Sequence, residues 1–211
     1  MGYDQTRRVR VKICGITRAE DAVYASALGA DAIGLNFYHA SPRCIDIARA
    51  QVIVGALPPF VNAVGVFVDH DEKDIRAVLD KVPLDYLQFH GNEPAEACAR
   101  YNLPYIKAIS MKAGVDLAGA ARQYAGAACL LLDTHVEGVA GGSGRQFDWG
   151  RVPAALAMPF LLAGGLTPAN VRSAISVARP YGVDVSSGVE SSPGIKDPDK
   201  LAVFIHEAIG A

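Results

Sequence analysis

Eight short runs of β-branched and aliphatic residues, each followed by an alanine-rich stretch of helical character, constrain this chain more than any other feature. Two parallel strands can be joined only by a crossover long enough to carry a helix, so such alternation is the sequence form of a parallel sheet. The predicted strands are Val9–Cys14, Ala32–Asn36, Asn62–Val68, Tyr86–His90, Tyr105–Ile109, Ala128–Asp133, Phe160–Gly164 and Gly182–Val185. Helices are expected in the segments between them, beginning near Arg18 and ending with Asp199–Ile209. Eight such units close most naturally as a (βα)8 TIM barrel. An open doubly wound sheet is the alternative, but no Gly-x-Gly-x-x-Gly fingerprint follows an early strand to support it.

At 211 residues the chain is long enough for one barrel and shows no linker or change of composition. The expected organisation is a short N-terminal tail over residues 1–8 and one catalytic barrel domain over 9–211. Helix boundaries carry their own chemistry. Thr167-Pro168 and Asp197-Pro198 each place a capping side chain before a proline suited to the first helical position. Gly29 in Ala-Leu-Gly-Ala-Asp reads as a helix end. Pro58-Pro59 reads as a turn before a strand.

The formal net charge of −2, with both signs interspersed, provides no basic stripe for a nucleic-acid backbone, so no nucleic-acid partner is expected. Cys14, Cys44, Cys98 and Cys129 lack metal-ligand spacing and disulfide density, which points to free thiols and a cytoplasmic location. No apolar run approaches the roughly 20 residues needed to span a bilayer, so no membrane partner is expected either. Gly2 and Thr6 satisfy the permissive myristoylation pattern, a match read here as chance.

In a strand-helix barrel the residue just past each strand lies at the face where active sites collect. Two such positions hold a thiol and a carboxylate, Cys14 and Asp133, a pair suited to giving and taking protons in an isomerisation. Side-chain alternation puts Lys12 on the same inward face as Cys14 and pairs it with Asp184 on the last strand. The same parity groups Asn36, His90 and Lys107 at the rim, where a structural role for His90 and Lys107 has as much weight as a catalytic one. Cys98 and Cys129, within a helix and a strand, read as inert small hydrophobes. Gly164-Gly165 after strand seven and Ser186-Ser187-Gly188 after strand eight fit a phosphate, because glycine lets backbone N–H groups approach an anion. Singly, these are also ordinary turn residues. The glycine-rich stretch from Glu137-Gly138 through Gly141–Gly144 is either a lid or a plain connector.

The text of the chain is also recognisable. Val-Lys-Ile-Cys-Gly-Ile-Thr, Gly-Ala-Asp-Ala-Ile-Gly, Ser-Pro-Arg, Val-Gly-Val-Phe-Val, Leu-Gln-Phe-His-Gly, Leu-Leu-Asp-Thr, Gly-Gly-Ser-Gly, Ala-Gly-Gly-Leu and Asp-Val-Ser-Ser-Gly-Val-Glu occur in order over nearly everything after the first eight residues. In order and spacing this resembles the phosphoribosylanthranilate isomerases of tryptophan biosynthesis. The resemblance implies a barrel enzyme that carries out an Amadori rearrangement of N-(5-phosphoribosyl)anthranilate without metal or organic cofactor. It implies that Asp133 is the general acid at the furanose ring oxygen, Cys14 the general base at sugar C2, and Arg43 of Ser-Pro-Arg the holder of the anthranilate carboxylate. Cys44 stands where many relatives are expected to carry a bulky side chain. A phosphorylated small molecule is then the partner, and the protein is expected to be a monomer or homodimer.

Two other functions compete. An indole-glycerol-phosphate synthase barrel would use a lysine and glutamate pair, which the motifs do not match. A non-catalytic metabolite-binding barrel would keep the phosphate turns without needing both Cys14 and Asp133.

Overall fold

A computed structural model describes residues 8–134, 147–153 and 156–211. The eight strands are β1 (Arg10–Cys14), β2 (Ala32–Asn36), β3 (Asn62–Phe67), β4 (Tyr86–Phe89), β5 (Tyr105–Ser110), β6 (Cys129–Asp133), β7 (Phe160–Leu162) and β8 (Gly182–Val185). They pair in sequence order, every neighbour parallel, and β8 returns to β1 to close the barrel. The helices are α1 (Ala19–Ala27), α2 (Ile47–Gly55), α3 (Glu72–Leu79), α4 (Ala95–Cys98), α5 (Leu117–Gln123), α6 (Val171–Ala178) and α7 (Pro198–Ile209).

Alternation along the strands divides the core into two layers. Outward residues such as Ile13, Ile33, Leu35, Leu87, Leu130 and Leu162 pack against the helices. Inward residues Val64, Ile106, Ala108, Cys129, Leu131, Leu161 and Ala163 fill the barrel. Every fully buried branched side chain in either layer is worth roughly 1.5–3 kcal/mol of transfer free energy, so the barrel is stabilised from both faces.

Local punctuation explains most boundaries. Helix α1 ends in a Schellman arrangement, with Gly29 N–H donating to Ser26 O, Ala30 N–H donating to Ala25 O, and Gly29 at φ +105°. Asp197 caps α7 by accepting from the N–H groups of Asp199 and Lys200, both at 3.1 Å, with Pro198 in the first turn as expected. Thr167-Pro168 behaves otherwise. It opens a separate turn in which Asn170 Oδ1 accepts from Thr167 N–H at 2.8 Å, and α6 starts only at Val171. Strand β7 is shorter than expected because Gly164 and Gly165 turn the chain through positive φ directly beyond it.

Between β6 and β7 the described residues hold a one-turn 3-10 helix, Trp149–Arg151. The Glu137-Gly138 and Gly141–Gly144 stretch, like the Gly2 to Thr6 match, lies outside the described residues. After β8 comes a one-turn helix, Ser187–Val189, and then an antiparallel hairpin of β9 (Glu190–Ser192) and β10 (Ile195–Lys196). No described helix is long and apolar enough to cross a membrane.

Candidate active site

All eight barrel strands are parallel, so their C-terminal ends share one mouth, and Cys14 and Asp133, the last residues of β1 and β6, both lie there. Beneath Cys14 the register sets Lys12 against Asp184 across β1 and β8. Lys12 Nζ donates to Asp184 Oδ1 at 2.7 Å with both side chains buried, which is the pair expected from parity. A Cβ added to Gly34 would come within 2.7 Å of Cys14 Sγ and 3.0 Å of Lys12 Nζ, so sulfur and ammonium flank the same glycine.

Burial pushes the Cys14 thiol above its ordinary pKa; Lys12 pulls it down and the Asp184 carboxylate pushes it up, with a net rise. For Lys12, burial is the largest influence and favours the neutral amine, yet Asp184 and Cys14 outweigh it and the ammonium is retained. Burial drives Cys129 up to about 12 and Cys98 up to about 11, in keeping with inert thiols.

Across the mouth, Asp133 Oδ2 lies 3.1 Å from His90 Nε2, and Asp133 Oδ1 accepts from Thr134 N–H at 2.8 Å. Gln88 Nε2 is 3.0 Å from His90 Nδ1. With that amide as donor, the ring hydrogen is on Nε2, directed at the carboxylate, so the imidazole orients Asp133.

The two expected phosphate turns meet. Gly164, Gly165, Ser186, Ser187 and Gly188 line one small cavity of about 50 Å³, with Asp133 and Asp184 also in its wall. Gly164 sits at φ +81°, and a Cβ there would fall 2.1 Å from Thr134 Oγ1, so any side chain would collide with the turn beside Asp133. Ser186 Oγ is buried without a hydrogen-bond partner among the described residues, a cost of about 1–3 kcal/mol that a ligand oxygen would relieve. A roomier cavity of about 390 Å³ opens at the opposite mouth among Arg10, Asn62 and Tyr181. Convergent polar chemistry, not volume, therefore marks the C-terminal mouth.

Arg43 reaches the same mouth along the β1 exit. Gly15, at φ +71°, leaves room for it, since a Cβ there would lie 2.4 Å from Arg43 Cδ. The guanidinium is clamped by Glu190, with Nε to Oε1 at 2.8 Å and Nη2 to Oε2 at 2.6 Å.

The chain as a whole is similar to known proteins. The family model for N-(5'-phosphoribosyl)anthranilate (PRA) isomerase matches residues 11–207. The chain belongs to the PRA isomerase family. The N-(5'-phosphoribosyl)anthranilate isomerase of Pseudomonas aeruginosa (strain UCBPP-PA14) is 58% identical over 197 residues, covering 93% of each chain. A solved phosphoribosyl anthranilate isomerase in complex with reduced 1-(o-carboxyphenylamino)-1-deoxyribulose 5-phosphate is similar at TM-score 0.82 and 42% identity, over 96% of this chain and 100% of that one. Monomers generated from the dimeric isomerase of Thermotoga maritima are similar at TM-score 0.82 and 40% identity, with the same coverage.

One rim expectation is corrected. Lys107 does not join Cys14 and Asp133. Its neighbours Ile106 and Ala108 point into the barrel, so Lys107 points out, where its buried Nζ donates to Glu93 Oε2 at 2.8 Å and Gly91 O at 2.6 Å. Asn36 stays at the strand end but spends its amide locally, on Ser41 Oγ and Tyr38 N–H. Sequence reasoning missed Glu190 and Lys196 altogether. Glu190 closes the Asp-Val-Ser-Ser-Gly-Val-Glu motif, and that was the available signal; Lys196, in a two-residue strand, carries none.

Proposed function

We propose that the protein isomerises N-(5-phosphoribosyl)anthranilate to 1-(2-carboxyphenylamino)-1-deoxyribulose 5-phosphate in tryptophan biosynthesis, with Asp133 as acid and Cys14 as base. Asp133 gives its proton to the furanose ring oxygen, the bond from that oxygen to C1 breaks, and the anilino nitrogen becomes a protonated Schiff base. Cys14, as thiolate, then takes the proton from C2 and leaves an enolamine, which tautomerises to the ketone. Arg43 receives the aryl carboxylate, and Gly164, Gly165, Ser186, Ser187 and Gly188 receive the phosphate through backbone N–H groups and a serine hydroxyl.

The observation that carries this reading is the shared mouth. Thiol and carboxylate end two strands at the same end of the barrel, and the cavity between the β7 and β8 turns has Asp133 in its wall. Domain limits of 9–211, cytoplasmic residence and a monomeric or homodimeric state belong to the same proposal, as does the absence of any nucleic-acid or membrane partner.

A fluorescence assay on enzymatically generated N-(5-phosphoribosyl)anthranilate, run beside other phosphoribosyl aminoaldoses, tests the substrate. Its rapid consumption by the purified protein is expected, and turnover of another aminoaldose in its place would overturn the assignment. Arg43→Lys keeps the charge but loses the planar fork, and should raise KM about tenfold or more; an unchanged KM would remove Arg43 from substrate binding.

A further inference from the structure

We propose that Glu190, backed by Lys196, is a specificity-determining positioning residue that aims the free edge of Arg43 at the aryl carboxylate of the substrate. The inference rests on the assignment of Arg43 to that carboxylate and goes beyond it by naming what holds the guanidinium. Glu190 takes the Nε and Nη2 side of Arg43, so one Nη1 hydrogen and the second Nη2 hydrogen form the remaining fork, the other Nη1 hydrogen pointing back along the Cδ side. An arginine already fixed on one edge loses little freedom when a ligand takes the other.

Charge and hydrogen-bond capacity both single out that fork. Lys196 Nζ meets Glu190 Oε1 at 2.8 Å, Cys14 O at 2.7 Å and Ser186 O at 3.2 Å, which uses all three ammonium hydrogens. Arg43 and Lys196 bring two positive charges against one on Glu190, and the Glu190 and Lys196 side chains are 5% and 0% exposed. One positive charge is therefore left over, and the only unused donors in the trio belong to Arg43. A single carboxylate completes the cluster.

The hairpin carrying these residues is anchored to the β1 exit, to α1 and to α7. Thr17 Oγ1 donates to Gly194 O at 2.6 Å, Lys196 N–H donates to Asp21 Oδ2 at 3.1 Å, and Lys200 Nζ donates to Glu190 O at 2.8 Å. The same ammonium that braces Glu190 thus also holds the carbonyls of Cys14 and Ser186, tying carboxylate recognition to the positions of base and phosphate turn.

The test compares calorimetric affinities for reduced 1-(o-carboxyphenylamino)-1-deoxyribulose 5-phosphate and for the same compound made from aniline, which lacks the carboxylate. The parent should prefer the carboxylated ligand by more than about tenfold, the equivalent of one good charged contact. Glu190→Gln should collapse that preference to a few-fold, keep affinity for the aniline compound, and raise KM with kcat little changed. Glu190→Asp, which keeps the charge but shortens the reach, serves if the amide variant fails to fold, and should reduce the preference partway. Equal losses for both ligands, or a preserved preference, would overturn the proposal. Arg43→Lys measured alongside separates the two claims: if it too preserves the preference, the Arg43 assignment has failed; if it alone collapses it, only the role of Glu190 has.

Discussion

At the scale of single residues, the proposed chemistry turns on the Cys14 sulfur. Burial pushes its pKa up, Lys12 pulls it down, and Asp184 pushes it up again, leaving the group above its ordinary value. A base must first lose its own proton, so this thiol is mostly protonated at neutrality, and its active fraction grows as pH rises. We expect kcat/KM, which reports the free enzyme, to keep climbing beyond about pH 8.5, where an unperturbed thiol titrates. Cys14→Ser should lose about 100-fold or more together with that alkaline limb. A parental profile that is flat from about pH 7 to about pH 10 and is kept at parental rate by Cys14→Ser would show that the sulfur is not the base.

At the scale of elements, what could be read from the sequence followed what is periodic or capped. The strands Ala32–Asn36 and Gly182–Val185 fall where β-branched runs place them, and Asp197-Pro198 caps α7 because a carboxylate and a preset φ need no tertiary help. Asp197→Ala should lower stability by about 1 kcal/mol in chemical denaturation, the usual value of such a cap; no shift in midpoint would mean that the first turn is held by packing alone. Thr167-Pro168 misled because the same residues also open a turn, and Asn170 Oδ1 captures the Thr167 N–H. Lys107 misled for another reason. Parity along one strand is dependable, but a count carried between strands accumulates the stagger of the barrel, and Lys107 came out on the helix side against Glu93. Cys14, Asp133 and the two turns needed only strand ends to be located, whereas the Glu190–Lys196 hairpin is too short for any alternation to show.

At the scale of the whole molecule, closure of the barrel is what makes a site from residues more than a hundred positions apart. The last strand returns beside the first, so Asp184 meets Lys12 in the interior, directly below the thiol. Such a pair is costly to break singly: Lys12→Met, which strands a buried carboxylate, should destabilise by about 3–5 kcal/mol. Lys12→Met combined with Asp184→Leu removes both charges and should recover most of that loss in urea denaturation. Equal destabilisation by the single and double variants would show that the site stores its stability elsewhere. In the proposed mechanism one thiol and one carboxyl group, on opposite sides of the same mouth, divide the proton transfers on a single sugar. Its most direct test is to measure kcat, and the affinity for reduced 1-(o-carboxyphenylamino)-1-deoxyribulose 5-phosphate, for Cys14→Ala and Asp133→Asn. Each variant should keep affinity within a few-fold while losing about 100-fold or more in kcat; turnover at the parental rate by either variant would rule out that division of the proton transfers.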